Sequence, residues 1–299
     1  VKHGADCIRL DLGENLPKEF LTKIKKRAKE INPEVLVVSE MWDFALKKGN
    51  PQIYDGQVDS LMNYPLSDAI LRWVRYGNYL HYEAGLRNLA KYPANVHDVL
   101  WNHLDTHDTP RALNMLSGKG MLEDPFKGQL WDIEGPWRSY NNFDTYGFRK
   151  WESENDFCLS SEAIKRLKLA ALVQYMSKGI PIVLYGTEAG VYGYKDPFNR
   201  KPYPWSNEKN EILNFYVELG GLRASNRDIL ADGDMYVYVD ERILEIVRRN
   251  EYGIIVAVLN RTNSEQKIGV NNYQTKVIFR LNESTERILK PLGAIVYRI

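Results

Sequence analysis

The stretch Asn102-His-Leu-Asp-Thr-His-Asp-Thr-Pro-Arg111 sets two histidines and two aspartates within ten positions. His103 and His107 lie four residues apart, a spacing that converges metal ligands on a helix. Here, however, the residues follow the strand-like run Val99 to Leu104, and the chain offers neither an HExxH motif nor a third-ligand cluster. No metal site is therefore expected, and acid/base chemistry becomes the better use of the motif. Two further carboxylates close apolar runs in the same way: Asp11 ends "CIRLD" and Glu40 ends "VLVVSE". Alternation along the first run sets Arg9 and Asp11 on one face, opposite Ile8 and Leu10. An inward-facing charged pair is unfavourable unless it is satisfied or used, and a structural salt bridge satisfies it as well as a reaction does. With Asp108 there are three carboxylates at three strand ends. Two carboxylates flanking a bond suit glycoside hydrolysis, one as nucleophile or base and one as general acid. A third charge can stabilise an oxocarbenium-like transition state.

Positioning such groups requires strands whose carboxyl ends share one side. Strand patterns at Ala5–Leu10, Val35–Ser39, Val58–Asn63, Val99–Leu104 and Ile180–Tyr185 alternate with helical ones. The helix patterns cover Leu16–Ile31, Ser67–Val74, Tyr82–Ala90, Ser161–Lys178 and Glu208–Leu222. In the first helix Phe20, Ile24, Ala28 and Ile31 form the apolar stripe, with Asn15 as N-cap, Pro17 in the first turn and Asn32-Pro33 as the stop. Nearly all-apolar strands alternating with helices predict a parallel sheet covered by helices, with functional groups at the strand carboxyl ends. After Arg227 the pattern becomes short strands (235–239, 243–248, 254–259, 266–270, 276–281 and 294–298) joined by turns such as Asn250-Glu-Tyr-Gly253. These predict a small all-β sandwich. Gly118 to Phe157 has no clear period and reads as a long loop or lid, with Trp131, Trp137 and Trp151 either walling the cleft or packing the loop on itself.

Composition narrows the class. Forty basic against 39 acidic residues give a net charge of +1, which offers no footprint for nucleic acid or an anionic membrane. No apolar run is long enough to span a bilayer. Cys7 and Cys158 form no disulfide framework or zinc pattern, and Cys7 is expected to be a buried, inert thiol. Nothing at Val1 reads as a signal peptide, so a cytoplasmic location is expected. Two glycosylation sequons, at Asn260 and Asn282, bear on function only in a secreted protein.

"GADCIRLD", "VLVVSEMW" and "THDTPR" resemble, in order, three signature regions of the α-amylase superfamily of glycoside hydrolases. "QVDSLMNYPLSDAI" and the ending "DPFNRKPYPW" are similar to its cyclomaltodextrinase, neopullulanase and maltogenic amylase branch. The likeness runs from the first residue to about residue 225. It implies an α/β fold: a partial (β/α)8 TIM barrel with strands resembling the fourth to eighth, over residues 1–226 with a loop insertion at 118–157, then a β-sandwich over 227–299. It also implies a C-terminal portion of a longer enzyme, because the superfamily's first signature region has no counterpart. By resemblance Asp11 is the nucleophile, Glu40 the general acid and then base, and Asp108 the group that binds the cleaved sugar's hydroxyls. Arg9 holds Asp11 ionised, and His107 binds the same sugar. Trp42 either stacks on the acceptor sugar or packs under its loop. Asp196 and Arg200 either contact sugar farther along the chain or form a loop salt bridge. His103 and Asp105 support the strand end. The departures are Glu14 and Asn15 on the acceptor side, Ser39 for a glycine before the acid, and Thr187 for an aspartate. The implied function is retaining hydrolysis of α-glucans, with α-1,4 linkages of maltodextrins or cyclodextrins as substrate. The alternatives are a glucanotransferase with the same trio and an inactive carbohydrate-binding fragment. No cofactor is expected, and no residue supports calcium. The expected partner is an oligosaccharide, and oligomerisation is expected through an N-terminal region such as relatives carry.

Overall fold

The computed structural model describes residues 1–42, 56–117, 160–193, 197–207, 210–269 and 276–299. The 118–157 insertion, Cys158, Asp196 and the side chain of Glu14 lie outside the described residues. Strands β1 (Cys7–Leu10), β2 (Leu36–Ser39) and β3 (Ser60–Leu61) pair in parallel in that order, with Cys7 opposite Leu36 and Ser39 opposite Leu61. Strands β4 (Trp101–Asn102) and β5 (Ile180–Pro181) form a second parallel pair, and a parallel bridge between Met62 and Trp101 joins the two sets. Five parallel strands therefore lie side by side in chain order, as the α/β alternation predicts.

The regular ladders are shorter than the apolar runs. At the β3–β4 seam side chains take over: the Ser60 hydroxyl donates to the Val99 carbonyl, and Asn63 Nδ2 donates to Asn102 Oδ1 at 2.8 Å. At β5, Pro181 has no N–H to give. Pairing resumes beyond it, where the Ile182 N–H meets the Asn102 carbonyl at 2.7 Å. Alternation divides the sheet into two faces. Val35, Val37 and Leu61 belong to the large core shared with the helices. Val38, Met62 and Tyr64 gather Cys7, Leu36, Trp42 and Trp101 on the other face. Cys7 is only partly buried there, and burial, followed by the charge of Asp59, pushes its thiol up.

Helix α1 (Lys18–Ile31) begins after Pro17, while Asn15 sits in a 3-10 turn over Gly13–Asn15. The expected cap is thus displaced: Pro17 holds the N-cap position and supplies no side-chain hydrogen bond. The buried stripe runs through Leu21 and Ala28, while Phe20 and Ile31 are exposed, which corrects the predicted face. Helix α2 (Tyr64–Tyr76) starts earlier than its periodicity suggests. Asn63 Oδ1 accepts the Leu66 N–H, Pro65 fits the first turn, and Gly77 closes the helix at φ 74°. It is buried from Tyr64 to Arg75. Arg72 at 2.7 Å and His81 at 2.6 Å both meet Oδ2 of the buried Asp68. Then follow α3 (Tyr79–Leu89), α4 (Ala94–His97), α5 (Ala112–Leu116), α6 (Ser161–Met176), α7 (Glu211–Ser225) and α8 (Arg227–Leu230). Among the described residues, no helix is long and apolar enough to cross a membrane.

The chain then forms β6 (Asp234–Val239), β7 (Ile243–Asn250), β8 (Gly253–Asn260), β9 (Gln266–Lys267), β10 (Lys276–Leu281), β11 (Ile288–Leu289) and β12 (Ala294–Arg298). Five of these make an antiparallel sheet ordered β10-β12-β8-β7-β6, and β9 pairs with β11. One face of the large sheet, through Leu244, Ile246, Ile255, Ala257 and Val296, joins the helical core. Buried arginines complete this junction by taking carbonyls that helices leave free at their ends. Arg248 donates to Met176 O at the end of α6. Arg261 donates to Val74 O at 3.1 Å, Arg75 O at 2.9 Å and Glu241 O at 3.0 Å. Replacing Arg261 with Met removes all three bonds and leaves the Val74 and Arg75 carbonyls at the end of α2 without this donor. The expected loss is about 3 kcal/mol of unfolding free energy, measured by urea denaturation; a loss below about 0.5 kcal/mol refutes the capping role.

Candidate active site

The carboxyl ends of β1 and β2 bring Arg9, Asp11 and Glu40 together. Arg9 and Asp11 share a face of β1, and the parallel register continues to the Glu40 N–H, which donates to the Leu10 carbonyl at 3.0 Å. The Arg9 guanidinium bridges the two carboxylates: one terminal nitrogen bonds Asp11 Oδ1, and the other stands 3.0 Å from Glu40 Oε2. The two acids differ sharply in exposure. Asp11's side chain is 69% exposed, and Glu40's is 3%.

A carboxylate as buried as Glu40 needs donors. It receives them from three segments. The Leu12 N–H reaches Oε2 at 2.8 Å, and Trp42 Nε1 reaches Oε1 at 3.0 Å. The Tyr64 hydroxyl, at the start of α2, lies 3.4 Å from Oε1. Leu12 directs its N–H by adopting the left-handed conformation at φ 43°, uncommon for a residue with a side chain. Trp42 stacks on Tyr64 with ring centroids 4.8 Å apart and planes inclined by 16°. The Trp42 ring also donates to Glu40.

Gly13 and Ser39 lie against each other behind this pair. A Cβ on Gly13 would stand 1.9 Å from Ser39 Oγ and 3.0 Å from Ser39 Cβ. The serine that departs from the superfamily pattern therefore fills the space beside a glycine and leaves none for any larger residue.

Asp108 joins the group from the end of β4. The Tyr64 hydroxyl lies 3.5 Å from Thr106 Oγ1, which accepts the Asp108 N–H at 3.2 Å. A chain of polar contacts thus runs from Glu40 to the Asp108 backbone. The Asp108 carboxylate faces His107 Nε2 at 3.1 Å and Arg200 Nη2 at 2.8 Å. Asn199 holds this arrangement in place. Its amide donates to His107 O at 2.7 Å and Thr109 O at 2.9 Å, while its backbone carbonyl accepts from Arg111 Nε at 2.6 Å. Arg111, fully buried, also donates to Tyr185 O at 2.7 Å. Arg200 thus pairs with Asp108, while Asp196, expected beside it, lies outside the described residues.

The expected supporting residues occupy the strand end. Burial holds Asp105's carboxyl above the usual range, against the Ala112 N–H at 2.8 Å, Arg111 and the Thr187 hydroxyl. Thr187 Oγ1 donates to Asp105 at 2.9 Å, so a second departure from the pattern pairs with a buried acid. A second carboxylate at position 187 would face Asp105 directly. His103 is buried edge-on against Tyr64, with centroids 4.5 Å apart. Neither ring nitrogen has a hydrogen-bond partner among the described residues, and burial lowers its pKa to about 3. Among the described residues no group of three or more His, Cys, Asp and Glu side chains could hold a metal ion.

Sequence reasoning missed Tyr64, Thr106, Arg111 and Asn199. All four stood inside the quoted segments, but contacts between distant segments leave no local period. The missing signal is a polar or aromatic residue beside a helix start or strand end, where its side chain can reach a neighbouring strand.

No protein-family profile matches the chain. It is 25% identical over 303 residues to a cyclomaltodextrinase from Thermoanaerobacter pseudethanolicus, covering 98% of this chain and 43% of that protein. It is 26% identical over 290 residues to an amylopullulanase from Thermoanaerobacter thermohydrosulfuricus, covering 88% of this chain and 17% of that protein. Among solved structures, the type III pullulan hydrolase from Thermococcus kodakarensis superposes with a TM-score of 0.72 at 24% identity, over 98% of this chain and 45% of that one. The chain thus spans less than half the length of each of these relatives.

Two outcomes are expected here. Gly13→Ala should destabilise the fold by about 1–3 kcal/mol through overpacking, and Ser39→Gly added to it should restore most of that loss in thermal or urea unfolding. Additive losses in the double variant rule out the contact. For His103 the folded pKa lies below the unfolded value of about 6.5, so the unfolded chain binds the proton first as pH falls. Its contribution to stability is complete above about pH 6.5 and declines by about 1.4 kcal/mol per pH unit towards pH 3. His103→Leu should flatten the acid limb of unfolding free energy by that slope; an unchanged limb excludes a neutral buried imidazole.

Proposed function

We propose, for a chain that belongs to the α-amylase superfamily of glycoside hydrolases, that Asp11, Glu40 and Asp108 form the centre of a retaining α-glucan hydrolase. The observation that carries this reading is the single guanidinium shared by Asp11 and Glu40. A shared cation keeps both carboxylates side by side. That suits the shorter separation, about 5 Å, used by enzymes that form a covalent intermediate, rather than the wider gap of about 6.5–9.5 Å that admits a water. We read β1 to β5 as consecutive strands of a (β/α)8 barrel resembling its fourth to eighth, followed by a β-sandwich. In support, the strands are parallel and in chain order, and the acids lie at their carboxyl ends.

The roles follow from the environments. Asp11, the exposed acid, attacks the anomeric carbon, while Arg9 stabilises its carboxylate and keeps its free oxygen directed outward. Glu40, enclosed by Leu12, Trp42 and Tyr64, gives its proton to the glycosidic oxygen as that bond breaks. The glycosyl–Asp11 ester then forms with inversion at the anomeric carbon. Water, deprotonated by Glu40, attacks that carbon and inverts it again, releasing Asp11 and a sugar of the original configuration. Asp108, steadied by His107 and Arg200, accepts hydrogen bonds from the sugar hydroxyls and strengthens them as positive charge develops on the ring. Among relatives named cyclomaltodextrinase, amylopullulanase and neopullulanase, the substrate chemistry we infer as shared is an α-linked glucan. We infer α-1,4 linkages of maltodextrins or cyclodextrins as the bonds cleaved.

Proton NMR of maltotriose hydrolysis by the protein should show the α-anomer released first. Glu40→Gln should lower kcat by roughly 10²–10⁴-fold with a smaller change in KM. Initial release of the β-anomer, or an unaltered kcat, rejects this assignment.

A further inference from the structure

The face of the large antiparallel sheet that points away from the helices carries a second site. Alternation along β6 exposes Tyr236 and Tyr238, 56% and 62% accessible, while Met235 and Val237 pack on the helical core. The register sets Tyr238 opposite Glu245, Glu245 opposite Val258, and Val258 opposite Ile295. The neighbouring row runs Tyr236, Val247, Val256, Tyr297. Towards β12 this face is roofed: Leu289 of β11 and Ile268 pack on Val258 and Ile295. Towards β6 it is open, and a groove of about 330 Å³ runs between Tyr238 and Tyr297.

The groove's chemistry is selective. Three strand spacings of about 4.8 Å separate β6 from β12, so it is roughly 14 Å long, the length of an oligomer rather than of one small ring. Its floor is apolar, from Ile243, Val256 and Val258, and holds one carboxylate, Glu245. That carboxylate has no hydrogen-bond or ion-pair partner among the described residues, and partial burial raises its pKa. Lys267 faces the same groove from β9, also unpaired among the described residues. The other two acids at its margin are engaged: Asp240 Oδ1 accepts the Ile243 N–H at 2.7 Å, and Glu286 pairs with Arg280. With Glu286 paired to Arg280, Asp240 and Glu245 face the single Lys267, so the groove carries a slight negative charge that disfavours anions and favours hydroxyl donors. Tyrosine rings at both ends suit flat, partly apolar faces. A neutral chain of pyranose rings combines these properties.

We propose that this groove binds a linear α-glucan oligosaccharide, with Tyr238 and Tyr297 against sugar rings and Glu245 and Lys267 hydrogen-bonded to hydroxyls. The choice of an α-glucan over other neutral oligosaccharides rests on the function proposed above; the groove's preference for sugar does not. Bound there, a polymer is held on a surface separate from the acids at the strand ends and raises their local substrate concentration.

The test is calorimetric titration of maltoheptaose into the 299-residue chain carrying Asp11→Asn, with hydroxyl-radical footprinting of the same samples. Two classes of site are expected, with Tyr238 and Tyr297 protected by ligand. Tyr238→Ala and Glu245→Gln should each weaken one class at least tenfold and leave the other unchanged. Titrations indifferent to both substitutions, or no protection of either tyrosine, overturn the proposal. In the Asp11-containing chain, neither substitution should alter turnover of a short chromogenic maltoside. Loss of that turnover by Glu40→Gln tests the catalytic reading separately, so either proposal can fail while the other stands.

Discussion

Glu40 is a carboxylate taken almost wholly out of water at the end of a parallel strand, and much of the surrounding structure follows from satisfying it. Leaving such a group without donors costs several kcal/mol. No single element supplies enough of them. Arg9 comes from β1, the Leu12 N–H from the turn after it, Trp42 from the segment after β2, and Tyr64 from the first residue of α2. Strand order, the left-handed turn at Leu12 and the early start of α2 thus become parts of one requirement. Asp11, which shares Arg9, needs none of this enclosure because it faces solvent. The same guanidinium therefore serves one acid that is hidden and one that faces solvent.

The half of the site around Asp108 is organised by different means. Residues after β4 and β5 lack a regular ladder, and buried side chains replace it. Arg111 and Asn199 tie the Asp108 loop to the Arg200 loop through backbone carbonyls, which fixes His107 and Arg200 without using their own side chains. Main-chain anchoring of this kind leaves the Asp108 carboxylate, His107 and Arg200 at the surface, where a ligand can reach them. It also explains why a strand end with so little regular structure still presents a defined constellation.

How much of this was legible depended on range. Alternation within a strand is local, so Arg9 and Asp11 could be set on one face from the sequence, and the five-strand α/β order followed from repeated local patterns. Clustering of Asp11 with Glu40 was reached only through strand-end logic and resemblance, and the shared arginine confirms that geometry. Helix α1 shows the limit. Phe20, Ile24, Ala28 and Ile31 have an excellent period, yet burial follows Leu21 and Ala28, because the sheet decides which edge of an apolar stripe is covered. Asn199 and Tyr64 were invisible for a related reason: each acts on residues dozens of positions away, and one asparagine or tyrosine carries no sign of that partner.

The two departures at Ser39 and Thr187 have a common physical sense. Each places a small hydroxyl residue where the superfamily pattern has another type, and each meets a specific neighbour. Ser39 fills the space beside Gly13, the turn that aims Leu12 at Glu40. Thr187 gives Asp105 a neutral donor, so that a buried acid already held above its usual range is not set against another carboxylate. Taken singly, both changes look like drift from a motif. Taken with their contacts, each is one half of a pair, and the other half is fixed by packing or charge. Each hydroxyl thus suits the neighbour it meets, a glycine with no side chain in one case and a buried acid in the other.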